Sequence, residues 1–530
     1  MAEHLHWADQ MAARVVAQRG PKQHYTCASG ITPSGVVHIG NFREIISVDL
    51  IVRALRDAGQ TVRFIYSWDD YDVFRKIPST VADRSSYESY LRLPITAVPD
   101  PGGVHESYAR ANEAALEAQL PRVGVRPEFI YQAQRYQAAD YAAGIRRALA
   151  SRDAIRAILD RYRTTPLAPD WWPVQVFSAF TGKDTTTILA WDGEWGLTYR
   201  CDETGKQETV DLRKTALVKL PWRVDWPMRW SVEQVDFEPA GKEHHSEGGS
   251  FDTAKYIVQE VYETEPPATF KYDFIRIKGR GGKMSSSSGE VISLSEMLEV
   301  YQPEIVRYLF AGTRPNAEFA ISFDLDVIKI YEDYDRCERI YFGQETVNPK
   351  RTAKERRSYE LSQVDAPPTD LPFQLPFRHL CNVLLIHNGD VDAALSAMPG
   401  FSDADPDLTA RARTRAACAW HWINAFAPED FRFTVATTQN PDVVLTPSER
   451  AAIVDLRALA LAELDSLADR DLQNRIYDIA REQQIEAKEL FVTLYRILVH
   501  KDRGPRLGGF LLTLGGRRVA AILEPYCEAE

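Results

Sequence analysis

Two apolar runs bracket a proline- and glycine-bearing loop and a periodic segment near the start of the chain. Their order restricts the fold more than any other feature of the sequence. HYTCASG (24–30) reads as a buried strand. It leads through TPSGVVHIGN (32–41) into a helix from about His38 to Ala58, where Ile39, Phe42, Ile46, Leu50 and Leu55 recur near helical spacing. TVRFIYSWDD (61–70) reads as a second strand that ends in carboxylates. Strand, helix, strand is the pattern of a parallel α/β sheet, whose ligand sites lie at the carboxyl ends of the strands.

From about residue 98 the pattern breaks, at AVPDPGGVHESYA, and helical segments are expected to about 160. A β-rich, tryptophan-rich stretch follows, TTTILAWDGEWGLTYRC (185–201), and DFIRIKG (273–279) reads as a further strand. Beyond about 335 the periodic stretches look helical, among them ERAAIVDLRALALAELDSLA and NRIYDIAREQQIEAKELFVTLYRIL. The expected fold class is therefore α/β, with a parallel-sheet domain split by an α+β insertion and followed by an all-α region. The expected divisions are 1–97, 98–220, 221–334 and 335–530, in keeping with a chain of 530 residues.

Hydrophobic residues at 45% and charged residues at 26% are ordinary for a soluble globular protein. No run approaches the roughly 18 apolar residues of a membrane span, and MAEHLHWADQMAARVV lacks the apolar core of a signal peptide. Six cysteines with no C-x-x-C pair point to a reducing, cytoplasmic setting. A net charge of −12 discourages a general affinity for nucleic acid. It leaves local basic clusters open, such as Lys350, Arg351, Lys354, Arg356 and Arg357, each either a solvated helix face or an RNA contact.

Two segments could carry chemistry. In TPSGVVHIGN, Gly35 relaxes the turn and Gly40 lets a ligand approach the start of a helix, where free N–H groups and the helix dipole favour anions. His38 and Asn41 share that turn and could both reach a phosphate; a plain strand-to-helix turn is the alternative. The second segment, GRGGKMSSSSGE (279–290), has the composition of a linker. With Lys283 as a mobile cation and serine hydroxyls behind it, it could instead close on a polyphosphate.

Together, in this order, the two segments resemble the motifs of class I aminoacyl-tRNA synthetases: HIGN is similar to their first ATP motif and KMSSS to their mobile second one. Asn41 stands where many members have histidine, and its amide can still bond to phosphate. SGITPSGVVHIGNFRE, YSWDDYDVFRKIP, PWRVDWPMRW, DFEPAGKEHHSEGGSFDT and GGKMSSSSG resemble the class I lysyl-tRNA synthetase family most closely. The resemblance implies a Rossmann-like catalytic domain, a connective insertion and a helical anticodon-binding domain. It also implies ATP with Mg2+, L-lysine and tRNA(Lys) as reactants, in a cytoplasmic enzyme for which a monomer is expected.

Carried over residue by residue, it implies catalytic roles for His38, Asn41, Lys283, Ser285, Ser286 and Ser287. Pro33, Gly35, Gly40 and Met284 would help hold the nucleotide. Gly30, Thr32, Trp222 and His244 would line the lysine pocket, with His245 equally near in sequence. For the lysine ammonium Glu44 is the first candidate, and Asp69 or Asp70 the second. Ser288 has no role in the motif. Trp222, Trp226 and Trp230 could each be core, and Glu44 could merely pair with Arg43.

Where zinc-carrying relatives have two C-x-x-C-G knuckles, this chain has Ser178, Thr181, Cys201 and Thr204. A ribbon without zinc is expected there, held by Leu189, Trp191, Trp195 and Tyr199. Competing readings are an arginyl- or glutamyl-type synthetase, a nucleotidyl transferase that uses no tRNA, and a synthetase-like RNA-binding protein without catalysis.

Overall fold

The computed structural model describes residues 6–79, 81–279, 291–403 and 405–528. The chain opens with helix α1 (Trp7–Arg19) and strand β1 (Tyr25–Ile31). Helix α2 (Ile39–Asp57) and strand β2 (Val62–Trp68) follow. The two strands pair in parallel, from Tyr25 opposite Val62 to Ile31 opposite Trp68. At Gly30 they come so close that a Cβ would sit 2.7 Å from the Ser67 carbonyl oxygen, so the position tolerates no side chain. One face of α2 is fully sunk against the sheet through Ile39, Phe42, Ile46 and Leu50.

Helix α3 (Tyr108–Glu117) precedes strand β3 (Glu128–Tyr131), which pairs in parallel with β2. This strand lies within the stretch expected to be insertion, yet it belongs to the central sheet. Four residues, EFIY, are too few to carry a period. Strands β4 (Thr186–Trp191), β5 (Gly196–Cys201) and β6 (Gln207–Asp211) form a separate antiparallel ribbon. Tyr199 is its buried aromatic, and Trp191 and Trp195 pack on the neighbouring core. Leu189, expected inside, is 40% exposed. A register shift between Ile188 and Ala190 interrupts the alternation that would have turned it inward.

Helix α4 (Trp222–Glu233) and strand β7 (Val235–Phe237) return the chain to the sheet, giving the order β3-β2-β1-β7. The expected strand near 273–279 is shorter, Ile275–Ile277, and pairs with Phe319–Ile321 outside that sheet.

Two compact units result. The first comprises 1–298, 303–321 and 337–367; the second comprises 299–302, 322–336 and 368–530. Residues 337–367 thus pack with the sheet-bearing unit. Arg307, fully buried, fastens them by donating to the Leu361 carbonyl at 2.9 Å and to Asp49 at 2.8 Å. The second unit is helical, with Trp422 at its centre and a buried Arg415–Asp335 pair at 2.6 Å. No helix among the described residues is long and apolar enough to cross a membrane.

Candidate active site

The carboxyl ends of β1 and β2 and the start of α2 enclose a cavity of about 380 Å³ with α4 and the segment after β7. Gly30, Thr32, Glu44, Asp69, Trp222 and His244, all expected at a substrate pocket, line it together. Asp70, though adjacent in sequence, points elsewhere: it accepts the Ala133 N–H at 2.8 Å and lines a different cavity. The chain leaves the strand at Trp68, and the turn that follows sends the two carboxylates to different partners.

Glu44 sits at the cavity's inner end. Ser29 Oγ donates to it at 2.7 Å, the Gly30 N–H at 3.3 Å, and the Tyr272 hydroxyl donates to its second oxygen. No cation pairs with it among the described residues, and burial raises its pKa. The neighbouring Arg43 does not neutralise it. That guanidinium turns away and donates to the carbonyls of Asp273, Phe274, Arg314 and Ala317. Asp69, by contrast, is paired with Arg229 at 2.6 Å. Asp72 is paired with Lys219 and accepts from Thr32 Oγ1 at 2.9 Å. A second carboxylate with no ion-pair partner among the described residues, Glu238, also lines the cavity. It accepts from Trp230 Nε1 at 2.6 Å, and burial pushes its pKa up to about 7.

The aromatic wall comes from α4. Trp230 and Trp226 are core, whereas Trp222 is 37% exposed and stacks on Trp226 at 4.8 Å. Spacing of four residues puts all three on one helix face, and only the outermost reaches the opening. His244 Nδ1 lies 2.5 Å from Ser250 Oγ and its ring meets Trp226 edge-on. His245 packs on Phe251 instead, outside the cavity lining.

At the head of α2, His38 and Asn41 form a reciprocal cap. The His38 Nδ1 accepts from the Gly40 and Asn41 N–H groups, at 3.1 and 3.3 Å, and Asn41 Oδ1 accepts from the His38 N–H at 3.4 Å. Both side chains therefore shape the helix N-terminus. Pro33 and Gly35 lie in the loop before it, and the Pro33 carbonyl accepts from Asn112 at 3.3 Å. Lys283, Met284, Ser285, Ser286, Ser287 and Ser288 lie outside the described residues. Tyr272, Glu238, Asp72 and Lys219 were not expected here. Asp72 and Glu238 each lie in a stretch that carries the family resemblance, YSWDDYDVFRKIP and DFEPAGKEHHSEGGSFDT, whereas Tyr272 and Lys219 lie in none.

A sequence profile described as tRNA synthetases class I (K) matches residues 5–365. A lysine–tRNA ligase of Treponema pallidum (strain Nichols) is 51% identical over 526 residues, covering 98% of this chain and 99% of that protein. The chain belongs to the class I lysyl-tRNA synthetase family. Another member, the lysine–tRNA ligase of Borreliella burgdorferi, is 49% identical over 98% of this chain and 99% of its own. That of Thermococcus kodakarensis is 41% identical over 96% and 97%. Similarity to these lysyl-tRNA synthetases runs through the helical unit as well as the catalytic one, and class I synthetases use ATP.

Proposed function

We propose that the protein joins L-lysine to tRNA(Lys) through a lysyl-adenylate. In the first step the lysine carboxylate attacks the α-phosphorus of ATP and the bond to the β-phosphate oxygen breaks, releasing pyrophosphate. In the second, the 2′-hydroxyl of the terminal ribose attacks the lysyl carbonyl and AMP leaves. Neither step needs a protein nucleophile, so the protein's part is alignment and charge stabilisation.

One observation carries the specificity: a half-buried glutamate, Glu44, desolvated and without a cationic partner among the described residues, in a cavity walled by Trp222 and Trp226. An ammonium on a four-carbon stem fits that combination, with the stem along the indoles and the charge between Glu44 and Tyr272. Arg75, exposed and lining the cavity, is placed to meet the lysine carboxylate or a phosphate. The N-terminus of α2, shaped by His38, Gly40 and Asn41, receives the triphosphate. Lys283, with Ser285 to Ser287, neutralises the pyrophosphate as it leaves, and Mg2+ enters with ATP as part of the substrate. The helical region from about 335 reads the anticodon, and the enzyme works as a cytoplasmic monomer.

Replacing Glu44 by Gln tests the assignment. Breaking a buried ion pair by removing one partner costs about 3–5 kcal/mol, so lysine affinity is expected to fall at least about 100-fold with ATP affinity unchanged. Lysine binding within threefold of wild type would overturn it.

A further inference from the structure

Helix α1 carries Trp7, Gln10, Met11 and Arg14 at the i, i+3, i+4, i+7 positions of one stripe. That stripe forms one side of a surface cleft of about 420 Å³. Phe270 and Lys271 form a second side, and the Arg314–Asn316 turn closes it. Trp7 meets Phe270 edge-on at 6.2 Å, which makes an aromatic floor. Around it stand Arg14, Lys271 and Arg314, all exposed. Among the described residues none of these three side chains has a hydrogen-bond or ion-pair partner, and no carboxylate lines the cleft. This differs from the general pattern of a chain with net charge −12, in which most arginines bridge to acids.

The cleft is anchored to the catalytic site. Trp7 Nε1 and His6 Nε2 both bond to the Ala311 carbonyl, at 2.9 and 2.8 Å, fixing the head of α1. Arg43, two residues beyond Asn41 in α2, holds the 314–317 turn through the Arg314 and Ala317 carbonyls. The short strand Lys271–Tyr272 presents Tyr272 to Glu44 and its neighbour Lys271 to the cleft.

We propose that this cleft docks one stretch of the tRNA sugar–phosphate backbone, with the three cations on phosphates and the Trp7–Phe270 floor under an unstacked nucleotide. The proposal rests on the reading that the protein charges tRNA. Charge complementarity selects a polyanion, and half-buried aromatics between exposed cations suit RNA better than an acidic polypeptide. Phosphate contacts fix register without reading sequence, so the cleft positions the tRNA and leaves its identity to other contacts.

The test is equilibrium binding of tRNA to full-length protein across NaCl concentrations, alongside steady-state lysylation, for the combined variant Arg14→Ala, Lys271→Ala and Arg314→Ala. Each lost phosphate contact lowers the slope of log K against log salt by about 0.7–0.9. The expected result is a slope reduced by about 2, a tRNA Kd raised about tenfold at low salt, and kcat at saturating tRNA within twofold. Arg14→Lys with Arg314→Lys keeps the charges and is expected to bind as wild type. Unchanged tRNA Kd and slope in the triple variant would overturn the proposal. Equal loss in the charge-conserving pair would do so too, by assigning the effect to packing. Loss of binding to poly-glutamate with tRNA binding intact would assign the cleft to a protein partner and overturn it as well. Failure of the wild type to lysylate tRNA would strike the functional reading and not the cleft, because tRNA binding is measured separately.

Discussion

Burial raises the pKa of both Glu44 and Glu238 in the candidate cavity, and the charge of Glu44 raises that of Glu238 further. Without lysine, the folded protein holds the Glu238 proton up to about pH 7, whereas the unfolded chain releases it near the ordinary carboxylate value. Its contribution to stability is thus present at low pH and lost as pH rises through about 7. Lysine reverses the preference, since its ammonium needs the ionised carboxylates. Lysine affinity is therefore expected to drop about tenfold between pH 7.5 and pH 6, measured by calorimetric titration, and Glu238→Gln should flatten that dependence. A pH-independent lysine affinity in the wild type would contradict the placement of Glu238. At this scale the sequence was readable where a motif fixed the position: His38, Asn41, Gly30, Thr32 and Glu44 all lie in or beside one loop and helix start. It was silent on Tyr272 and Lys219, whose roles arise only when strands distant in the chain come together.

The ribbon shows the same limit for elements. Ser178 to Lys183 and Cys201 to Lys206 are two turns of one design, S-x-x-T-G-K and C-x-x-T-G-K. In each the first N–H bonds to the lysine carbonyl at 2.8 Å, and Gly182 (φ +75°) and Gly205 (φ +71°) make the left-handed step. The turns face each other, with Thr181 Oγ1 3.9 Å from Cys201 Sγ and Lys206 over the Phe180 ring. A tetrahedron of sulfurs about 2.3 Å from zinc has edges of about 3.8 Å, close to this one Thr181–Cys201 separation. The donors do not fit zinc: one thiol and three hydroxyls. Instead Ser178, then Thr204, hydrogen-bond to Cys201 and draw its thiol pKa down to about 7. Wild-type protein is expected to contain no stoichiometric zinc and to melt at the same temperature with or without chelator. Ser178→Cys with Thr181→Cys and Thr204→Cys should take up one equivalent; zinc in the wild type, or none in that variant, would contradict this account. The paired turns were legible as repeated glycines, and so were α2 and both strands that flank it. Strand β3 was not, because its membership in the sheet is decided by pairing with β2 and not by its own four residues.

Across the whole molecule, the parallel sheet gathers the site from residues 30 to 272, where the Tyr272 hydroxyl donates to the Glu44 carboxylate across 228 positions of sequence. Arg43 and Arg307 each tie a helix of the first unit to segments more than 200 residues away. Order along the sequence showed the α/β and helical halves; residues 337–367 joined the first unit through contacts such as that of Arg307 with Leu361, which no periodicity encodes. What unites the scales is a cavity whose carboxylates and indoles suit a cationic amino acid. ATP–pyrophosphate exchange with each of the twenty amino acids, in the presence and absence of total tRNA, tests that most directly. The account predicts exchange that depends on lysine; exchange driven by arginine or glutamate in its place, or by no amino acid at all, would contradict it.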